Sequence, residues 1–263
     1  DQIMSYLKHI EYNEGWNVAR GLVRGTSVIH KFGRNNSISA APETIWMHGG
    51  IYSYLTSPST LFTHSTGDDG AGEVGARTIT IEGLDVNFNP ITETVTVNSD
   101  VATTAQFLRV FRAFVATAGS LTTNDGNILI STQVNGAGTV VADISVMGTG
   151  ITFGLGQTQL ALYTIPAGYT GLLTNWNVGV GDYNDAITAF LLARELDGEA
   201  PFRSRDVMDV SGGFHQRIYN VPYRFPSKTD IEIRAINSSG TAVSSSFDIV
   251  LIENEFVESR SSY

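Results

Sequence analysis

The sequence predicts an all-β protein of two β-sandwich or jelly-roll-like units, preceded by an extended or short-helical N-terminal arm. Three observations predict this class. Apolar and polar residues alternate with a period of two in several segments, which is the pattern of half-buried strands. Turn-forming residues recur at short intervals between these segments. Charged residues make up only 16% of the chain, which also contains 27 glycines; soluble domains average about 25% charged residues.

The composition of the chain excludes several classes of function. The 263 residues are 42% hydrophobic, enough to fill one large core or two modest ones. The net charge is −10 and no run of Lys or Arg occurs, which excludes a nucleic-acid partner. The chain has no Cys, so disulfides and thiolate metal sites are excluded. No apolar run reaches the roughly 18 residues of a membrane span, and we expect no membrane partner.

Residues 1–34 are predicted to form an N-terminal arm. Ile3, Leu7 and Ile10 recur at helical spacing, so a short helix beginning near Asp1 is expected. Two interpretations stay open: the helix docks on its own domain, or the arm reaches a neighbouring subunit. The segment is rich in cations, which are Lys8, Arg20, Arg24, Lys31 and Arg34.

Residues 35–150 are predicted to form the first β domain. Segment 37–61 is typical of short strands and turns, and Thr63–Gly75 is expected to be an exposed polar loop. Strands follow from Arg77, and segment 107–118 fits either a buried strand or a helix. The turns at 124–127 and at Asn135-Gly136 predict two hairpins.

Residues 151–263 are predicted to form the second, jelly-roll-like β-sandwich domain. A cluster of glycines between Gly148 and Gly156 marks the expected boundary. Strands are expected at 160–165, 172–180, 230–236 and 247–252. Segment 186–196 fits a helix or a strand by periodicity, and the strand is favoured because strands flank it.

Several turn and strand segments follow one another in an informative order. They are Gly33–Ile38 with Pro42–Trp46, Gly75–Ile79 with Gly83–Asp85, Thr92–Val95, Tyr163–Gly168, and Ser227–Ile231 with Phe247–Ile249. Their order resembles that of virion structural proteins from marine tailed bacteriophages, the cyanophage and pelagiphage types described as capsid-associated or decoration-like. The resemblance covers roughly residues 33 to 252 and implies a shared fold and a place in a virus particle. It carries over no catalytic residue, because the matching segments are turn and strand signatures.

No catalytic, cofactor or metal site is predicted, and the chain is not expected to be an enzyme. Its five histidines show no helical zinc spacing, and the glycine cluster lacks the Lys-Ser/Thr of a phosphate loop. Asp68-Asp69-Gly70 and Asn124–Asn127 offer the oxygen ligands that calcium prefers, but a turn is the favoured interpretation because the ordered calcium-loop signature is missing.

Protein contacts are the predicted use of the surface. Aromatic residues and Arg are enriched at interfaces, which favours the arm and the segments 202–205 and 219–225. The candidate interface residues are Tyr6, Leu7, Ile10, Trp16, Arg20, Arg24, Phe32, Phe202, Arg203, Arg205, Tyr219, Tyr223, Arg224 and Phe225. A sugar-binding platform is the rival use of the aromatic residues, which are Trp46, Trp176, Tyr52, Tyr54, Tyr163, Tyr169, Tyr183, Tyr219 and Tyr223.

The sequence thus predicts a structural component of a bacteriophage virion, assembled in the host cytoplasm. Its expected partners are capsid, neck or tail proteins and copies of itself, with a trimer preferred. Decoration, fibre-base and connector roles stay open. The alternative function is a carbohydrate-binding β-sandwich adhesin used in host attachment.

Overall fold

The computed structural model describes residues 14–147, 153–195, 201–237 and 240–257, and it confirms the all-β prediction. The described elements are one α-helix, α1 (Glu14–Ala19), two 3-10 turns (Val134–Gly136 and Asn254–Phe256), and the strands β1 (Thr26–Ile38), β2 (Glu43–Thr44), β3 (Phe62–Ser65), β4 (Ala76–Leu84), β5 (Pro90–Thr96), β6 (Arg109–Ala118), β7 (Ile128–Ser131), β8 (Val140–Ile144), β9 (Val146–Met147), β10 (Phe153–Gly154), β11 (Leu162–Thr164), β12 (Tyr169–Val180), β13 (Ala186–Glu195), β14 (Arg203–Ser211), β15 (Gly213–Phe225), β16 (Thr229–Ile236) and β17 (Thr241–Glu253).

Eight of these strands form a jelly roll. The first sheet has the order β1-β17-β12-β15 and the second has the order β11-β16-β13-β14, with β2 added beside β16. All pairs are antiparallel. In chain order, the first strand of the jelly roll pairs with the last, the second with the second-last, and so on. The pairs are β1 with β17, β11 with β16, β12 with β15, and β13 with β14. An eight-stranded double sheet wound in this way is a jelly roll.

The space between the two sheets is filled by apolar side chains from both. Trp176 and Phe247 of the first sheet and Leu191 and Ile233 of the second are fully buried in one continuous core. The alternation of inward and outward residues is plainest in β17, where every second residue from Thr241 to Leu251 is buried. This core accounts for the strands that the sequence predicts near the C-terminus.

The remaining strands form a unit inserted between the first and second strands of the jelly roll. This inserted unit comprises β3 to β10 and segment 46–61, which leads into them. Its sheets have the orders β3-β7-β8, β5-β4-β6 and β9-β10. They enclose a separate core that includes Leu61, Ile79, Phe107 and Ile130.

The predicted extent of the N-terminal arm is wrong for residues 26–34. These residues belong to β1, which pairs with β17 from Thr26–Ile252 to Asn35–Val243. The sequence pattern hides this strand because its inward positions include Lys31, Gly33 and Asn35, which are buried but not apolar. The expected helix at residues 1–10 and the boundary at 148–152 lie outside the described residues.

Several local predictions can be compared with the structure. Segments 107–118 and 186–196 contain strands β6 and β13, and the hairpin at Asn135-Gly136 joins β7 to β8. The hairpin predicted at 124–127 is wrong, because the strand before it, β6, pairs with β4. Thr63–Gly75 is not an exposed loop throughout, since Thr63, Ser65 and Asp69 are buried.

Truncation tests the placement of β1. Deleting residues 1–24 leaves β1 intact and should change the melting temperature by no more than about 3 °C, whereas deleting residues 1–34 removes most of β1 and should lower it by roughly 10 °C or abolish the cooperative transition. Circular dichroism during heating measures both. Equal melting temperatures for the two truncations would show that β1 does not contribute to the folded sheet.

Candidate functional site

A buried cluster of charges lies where the inserted unit meets the jelly roll. Asp230 of β16 is fully buried, and its two carboxylate oxygens accept hydrogen bonds from Arg109 Nε at 2.9 Å and Nη2 at 3.1 Å. Arg194 Nε donates to the same carboxylate at 2.9 Å, and Thr164 Oγ1 donates at 2.6 Å. Because Arg109 lies on β6, this pairing ties the inserted unit to the second sheet.

A second buried carboxylate lies two residues further along β16. Glu232 accepts two hydrogen bonds from Arg234, at 2.7 Å and 3.0 Å, and another from the Thr44 hydroxyl. The ring of Phe202 lies over the guanidinium groups of Arg194 and Arg234. Each buried carboxylate has a cationic partner, so the cluster is a structural junction.

Two tyrosines complete the aromatic side of this junction. The ring of Tyr54 lies over the guanidinium groups of Arg109 and Arg194, and it packs edge-on against Tyr52. Burial raises the pKa of the Tyr54 phenol well above its usual value, and burial also raises that of Tyr52. Both phenols are therefore neutral at physiological pH and serve as packing groups.

Lys31 is the buried cation of the same contact region. Its Nζ donates a hydrogen bond to the carbonyl oxygen of Phe111 in the inserted unit. Burial, with a smaller contribution from the charge of Arg112, lowers the pKa of Lys31 from 10.5 to about 7. Glu82 acts in the opposite direction but more weakly. The first sheet therefore contacts the inserted unit through Lys31, whose ammonium group loses its proton more readily than that of an exposed lysine.

The acidic loop considered for calcium is organised by backbone donors. The Asp69 carboxylate accepts hydrogen bonds from the backbone N–H groups of Ala76 at 2.6 Å and of Asp125 and Gly126 at 2.9 Å each. The Ser65 hydroxyl donates to it as well. Within the described residues no group of three or more His, Asp or Glu side chains is arranged to hold a metal. Asp69 therefore pins two turns together, in agreement with the turn interpretation.

The predicted interface residues fall into three groups. Tyr6, Leu7 and Ile10 lie outside the described residues. Trp16, Arg20, Arg24 and Phe32 are exposed near the start of the first sheet. Those of the third group lie on or beside β14 and β15, and they are Phe202, Arg203, Arg205, Tyr219, Tyr223, Arg224 and Phe225.

Two of these aromatic residues are engaged within the chain. Phe225 is buried in the jelly-roll core, so its assignment to an interface is wrong. Its position at the inward end of an otherwise exposed strand gives no sequence signal. Phe202 is half-buried against Tyr54 and the arginines of the junction. Of the residues considered for a sugar platform, Trp46 and Trp176 are buried, whereas Tyr183 and Tyr223 are exposed.

The β14–β15 edge, defined as the two strands β14 and β15 with the turn at Gly212, carries exposed apolar side chains. β14 ends the second sheet and β15 ends the first, so both are edge strands. Large apolar side chains are exposed along β15, with Ile218 at 67% and Val221 at 86%. Tyr183 of a neighbouring turn is also exposed, whereas Val207 of β14 pairs with Phe190 and lies on the outer face of the second sheet. Exposed patches of this kind mark protein contacts.

A bulge in β15 shapes this edge. Tyr223 pairs with Leu173 and Ile218 pairs with Asn175, so residues 219–222 of β15 face the single residue Thr174 of β12. Bulges and prolines disrupt the regular ladder of an edge strand and discourage unspecific pairing with other strands. The bulge contains Pro222, and contact through this edge should therefore depend on side chains.

Polar contacts hold the two edge strands together beneath the apolar patch. Asp206 of β14 accepts a hydrogen bond from the Tyr219 hydroxyl at 2.8 Å and pairs with Arg217 at 2.6 Å. The Tyr223 hydroxyl donates to the backbone carbonyl of Arg205 at 3.2 Å. Arg203 and Arg224 are exposed and form no ion pair with the described residues. The edge therefore presents a fixed apolar ridge beside unpaired cations.

Removing the charge of Asp230 should destabilise the protein strongly. Asp230→Asn leaves Arg109 and Arg194 buried beside a neutral amide, and we expect a loss of about 3 kcal/mol in the free energy of unfolding. Urea denaturation measures the loss. Glu195→Gln, which breaks the exposed pair with Arg205, is the matched control and should cost less than about 1 kcal/mol. Equal losses for the two variants would contradict the structural role of Asp230.

The lowered pKa of Lys31 predicts a rise in stability with pH. Between about pH 7 and 10.5 the unfolded chain keeps a proton on Lys31 that the folded protein has released, so unfolding takes up a proton and becomes less favourable as the pH rises. The free energy of unfolding of the wild type should therefore increase from pH 7 to 10 relative to Lys31→Met. Lys228→Met should follow the wild type. A Lys31→Met profile parallel to that of the wild type would refute the assignment.

Comparisons with known proteins leave the family open. No protein-family profile matches the chain, and no curated protein matches it. Among solved structures it is similar to infectious bursal disease virus Gt strain, with 9% identity and a TM-score of 0.22 over 88% of this chain and 72% of the other. It is also similar to the VP2 subviral particle of that virus, with 11% identity and a TM-score of 0.23 over 88% and 73%. The Gx strain gives 11% identity and a TM-score of 0.23 over 88% and 72%. These neighbours are viral, but TM-scores of this size establish neither a shared topology nor a shared function.

In the part of the chain that the structure describes, no helix is long and apolar enough to span a membrane.

Proposed function

We propose that this chain is a structural component of a bacteriophage virion that assembles with copies of itself through the β14–β15 edge. The observation that carries the proposal is the apolar ridge of β15, exposed on a jelly roll whose core is already filled by its own chain. Burying such a ridge against another subunit is favourable, at about 25 cal/mol per Å² of apolar surface removed from water. Jelly rolls are a recurrent architecture of viral shells.

Charge supports a contact between copies of the same chain. The protein carries a net charge of −10, yet Arg203 and Arg224 lie unpaired beside the apolar ridge. A local cationic site on an acidic chain is attracted to the acidic surface of another copy and steers its approach. A closed ring of three subunits would satisfy such a heterologous contact at every subunit.

The exposed segment before β1 offers a second contact, toward other virion proteins. Trp16 is largely exposed, and the guanidinium of Arg24 lies over the exposed ring of Phe256. We assign this surface, which lies outside the segment that resembles the phage family, to contacts with capsid, neck or tail proteins. Decoration, fibre-base and connector roles all use such a contact. Assembly in the host cytoplasm and the absence of a catalytic role belong to the same proposal.

Charged substitutions on the ridge test self-assembly. Ile218→Asp with Val221→Asp places two carboxylates at the centre of the proposed contact, where burying them without partners is costly. We expect the wild type to form an oligomer in solution, a trimer in the preferred form. The double variant should be a folded monomer. Size-exclusion chromatography with light scattering measures the mass, and circular dichroism checks the fold.

The matched control places a carboxylate elsewhere on the surface. Val101 is 68% exposed and lies on the inserted unit, away from β15. Val101→Asp should leave the oligomer unchanged. A wild type that stays monomeric at high concentration, or a double variant that assembles as the wild type does, would refute the β14–β15 edge as the contact.

A further inference from the structure

The outer face of the first sheet carries a shallow trough of about 360 Å³. The strand register places Arg34, Ser244, Gly179 and Phe214 in one row that crosses β1, β17, β12 and β15. The four side-chain positions lie on the side of the sheet away from the core, because their neighbours in sequence on β12 and β17 point inward. The trough therefore runs across the strands.

Exposed aromatic rings stand at the two ends of the trough. Phe32 on β1 is 38% exposed, and Phe214 on β15 is 64% exposed. Phe32 and Phe214 are three strand spacings and two residues apart, so the backbones that carry the two rings are about 16 Å apart. This spacing accommodates one or two sugar rings. Aromatic faces pack well against ligands that combine apolar surface with polar groups.

A glycine keeps the floor of the trough open, although the backbone conformation at this position would also allow a residue with a side chain. Gly179 lies within β12 and does not adopt a positive φ. A Cβ atom at this position would lie 3.0 Å from Ser244 Oγ and would fill the floor. A glycine within a strand weakens the strand and often marks a place where a ligand approaches the backbone closely.

The floor also holds an acceptor without a donor. The neighbouring row of the sheet aligns Phe32 with Ser246 and Asn177. Asn177 Nδ2 donates to Ser246 Oγ at 3.1 Å, but the buried Oδ1 atom of Asn177 accepts no hydrogen bond from the described residues. This acceptor is closed off from the trough, so the hydroxyls of Ser244 and Ser246 are the floor groups that can bond a ligand hydroxyl.

An unpaired cation lies beside this floor. Arg34 lines the trough, and its Nε donates to Asn36 Oδ1 at 2.8 Å, which orients the guanidinium. None of the ion pairs among the described residues includes Arg34. The Nη atoms thus remain available for a carboxylate, which a guanidinium binds through two parallel hydrogen bonds.

We propose that the trough binds an acidic saccharide. The phenyl rings pack against the sugar, the serine hydroxyls of the floor bond its hydroxyl groups, and Arg34 binds its carboxylate. The site is separate from the sugar platform once expected at Trp46 and Trp176, which are buried. It goes beyond the proposed virion role, since a subunit of a particle can also hold a glycan on its outer sheet.

A glycan array of the full chain tests the site. The probes are oligosaccharides that end in glucuronate and matched oligosaccharides that end in glucose, followed by calorimetric titration with a glucuronate-terminated disaccharide. We expect the glucuronate series to bind roughly tenfold more tightly than the glucose series, the range of one charge-assisted contact. Arg34→Gln should remove this preference. Phe32→Ala and Gly179→Ala should each weaken binding of both series.

Matched controls separate the trough from general surface effects. Arg77→Gln removes another exposed arginine, and Phe153→Ala removes another exposed phenylalanine, both on the inserted unit. Both should bind as the wild type does. Light scattering on the same samples should show that Arg34→Gln keeps the wild-type mass, so failure of the glycan site is distinguishable from failure of self-assembly. No binding by the wild type, equal binding of the two series, or unchanged preference in Arg34→Gln would overturn the proposal.

Discussion

The pairing of β1 with β17 is the constraint on which the rest of the structure depends. It joins residues more than two hundred positions apart, such as His30 and Asp248, and thereby closes the first sheet. With that pair in place the remaining strands pair inward in order, and the two sheets bury Trp176 and Phe247 between them. The inserted unit leaves the jelly roll after β2 and returns at β11, and both of these strands pair with β16.

The buried charges make this arrangement specific. Apolar packing alone allows two sandwiches to meet in many orientations, whereas the fork of Arg109 on Asp230 is satisfied in one. Arg194 and the Tyr54 ring complete the same cluster from the jelly-roll side and from the segment leading to β3. The buried ion pairs therefore fix the position of the inserted unit against the jelly roll. The surfaces available for function lie elsewhere, at the edge strands and on the outer sheet.

How much the sequence could predict follows from the range of the interactions. Alternation in β16 and β17 is local, so it predicts strands and an all-β class without knowledge of their partners. The entry of β1 into the jelly roll was not predictable, because two of its inward positions are not apolar: Lys31 contacts the inserted unit, and Gly33 lies against the backbone of Ile45 and Ala161. The candidate edge was partly found, since Tyr219, Tyr223 and Arg224 have interface composition. Ile218 was missed, because a strand residue with an apolar side chain is expected to face a core.

A jelly roll with a filled core, an apolar edge and a polar trough on its outer face is suited to assembling with other subunits through the edge and to binding a ligand in the trough. The most direct measurement is a cryo-electron microscopy map of the assembled protein. The account predicts that Ile218 and Val221 are buried between neighbouring copies while Phe32 and Arg34 stay open to solvent. A map in which β15 faces solvent and the copies meet through the inserted unit would contradict it.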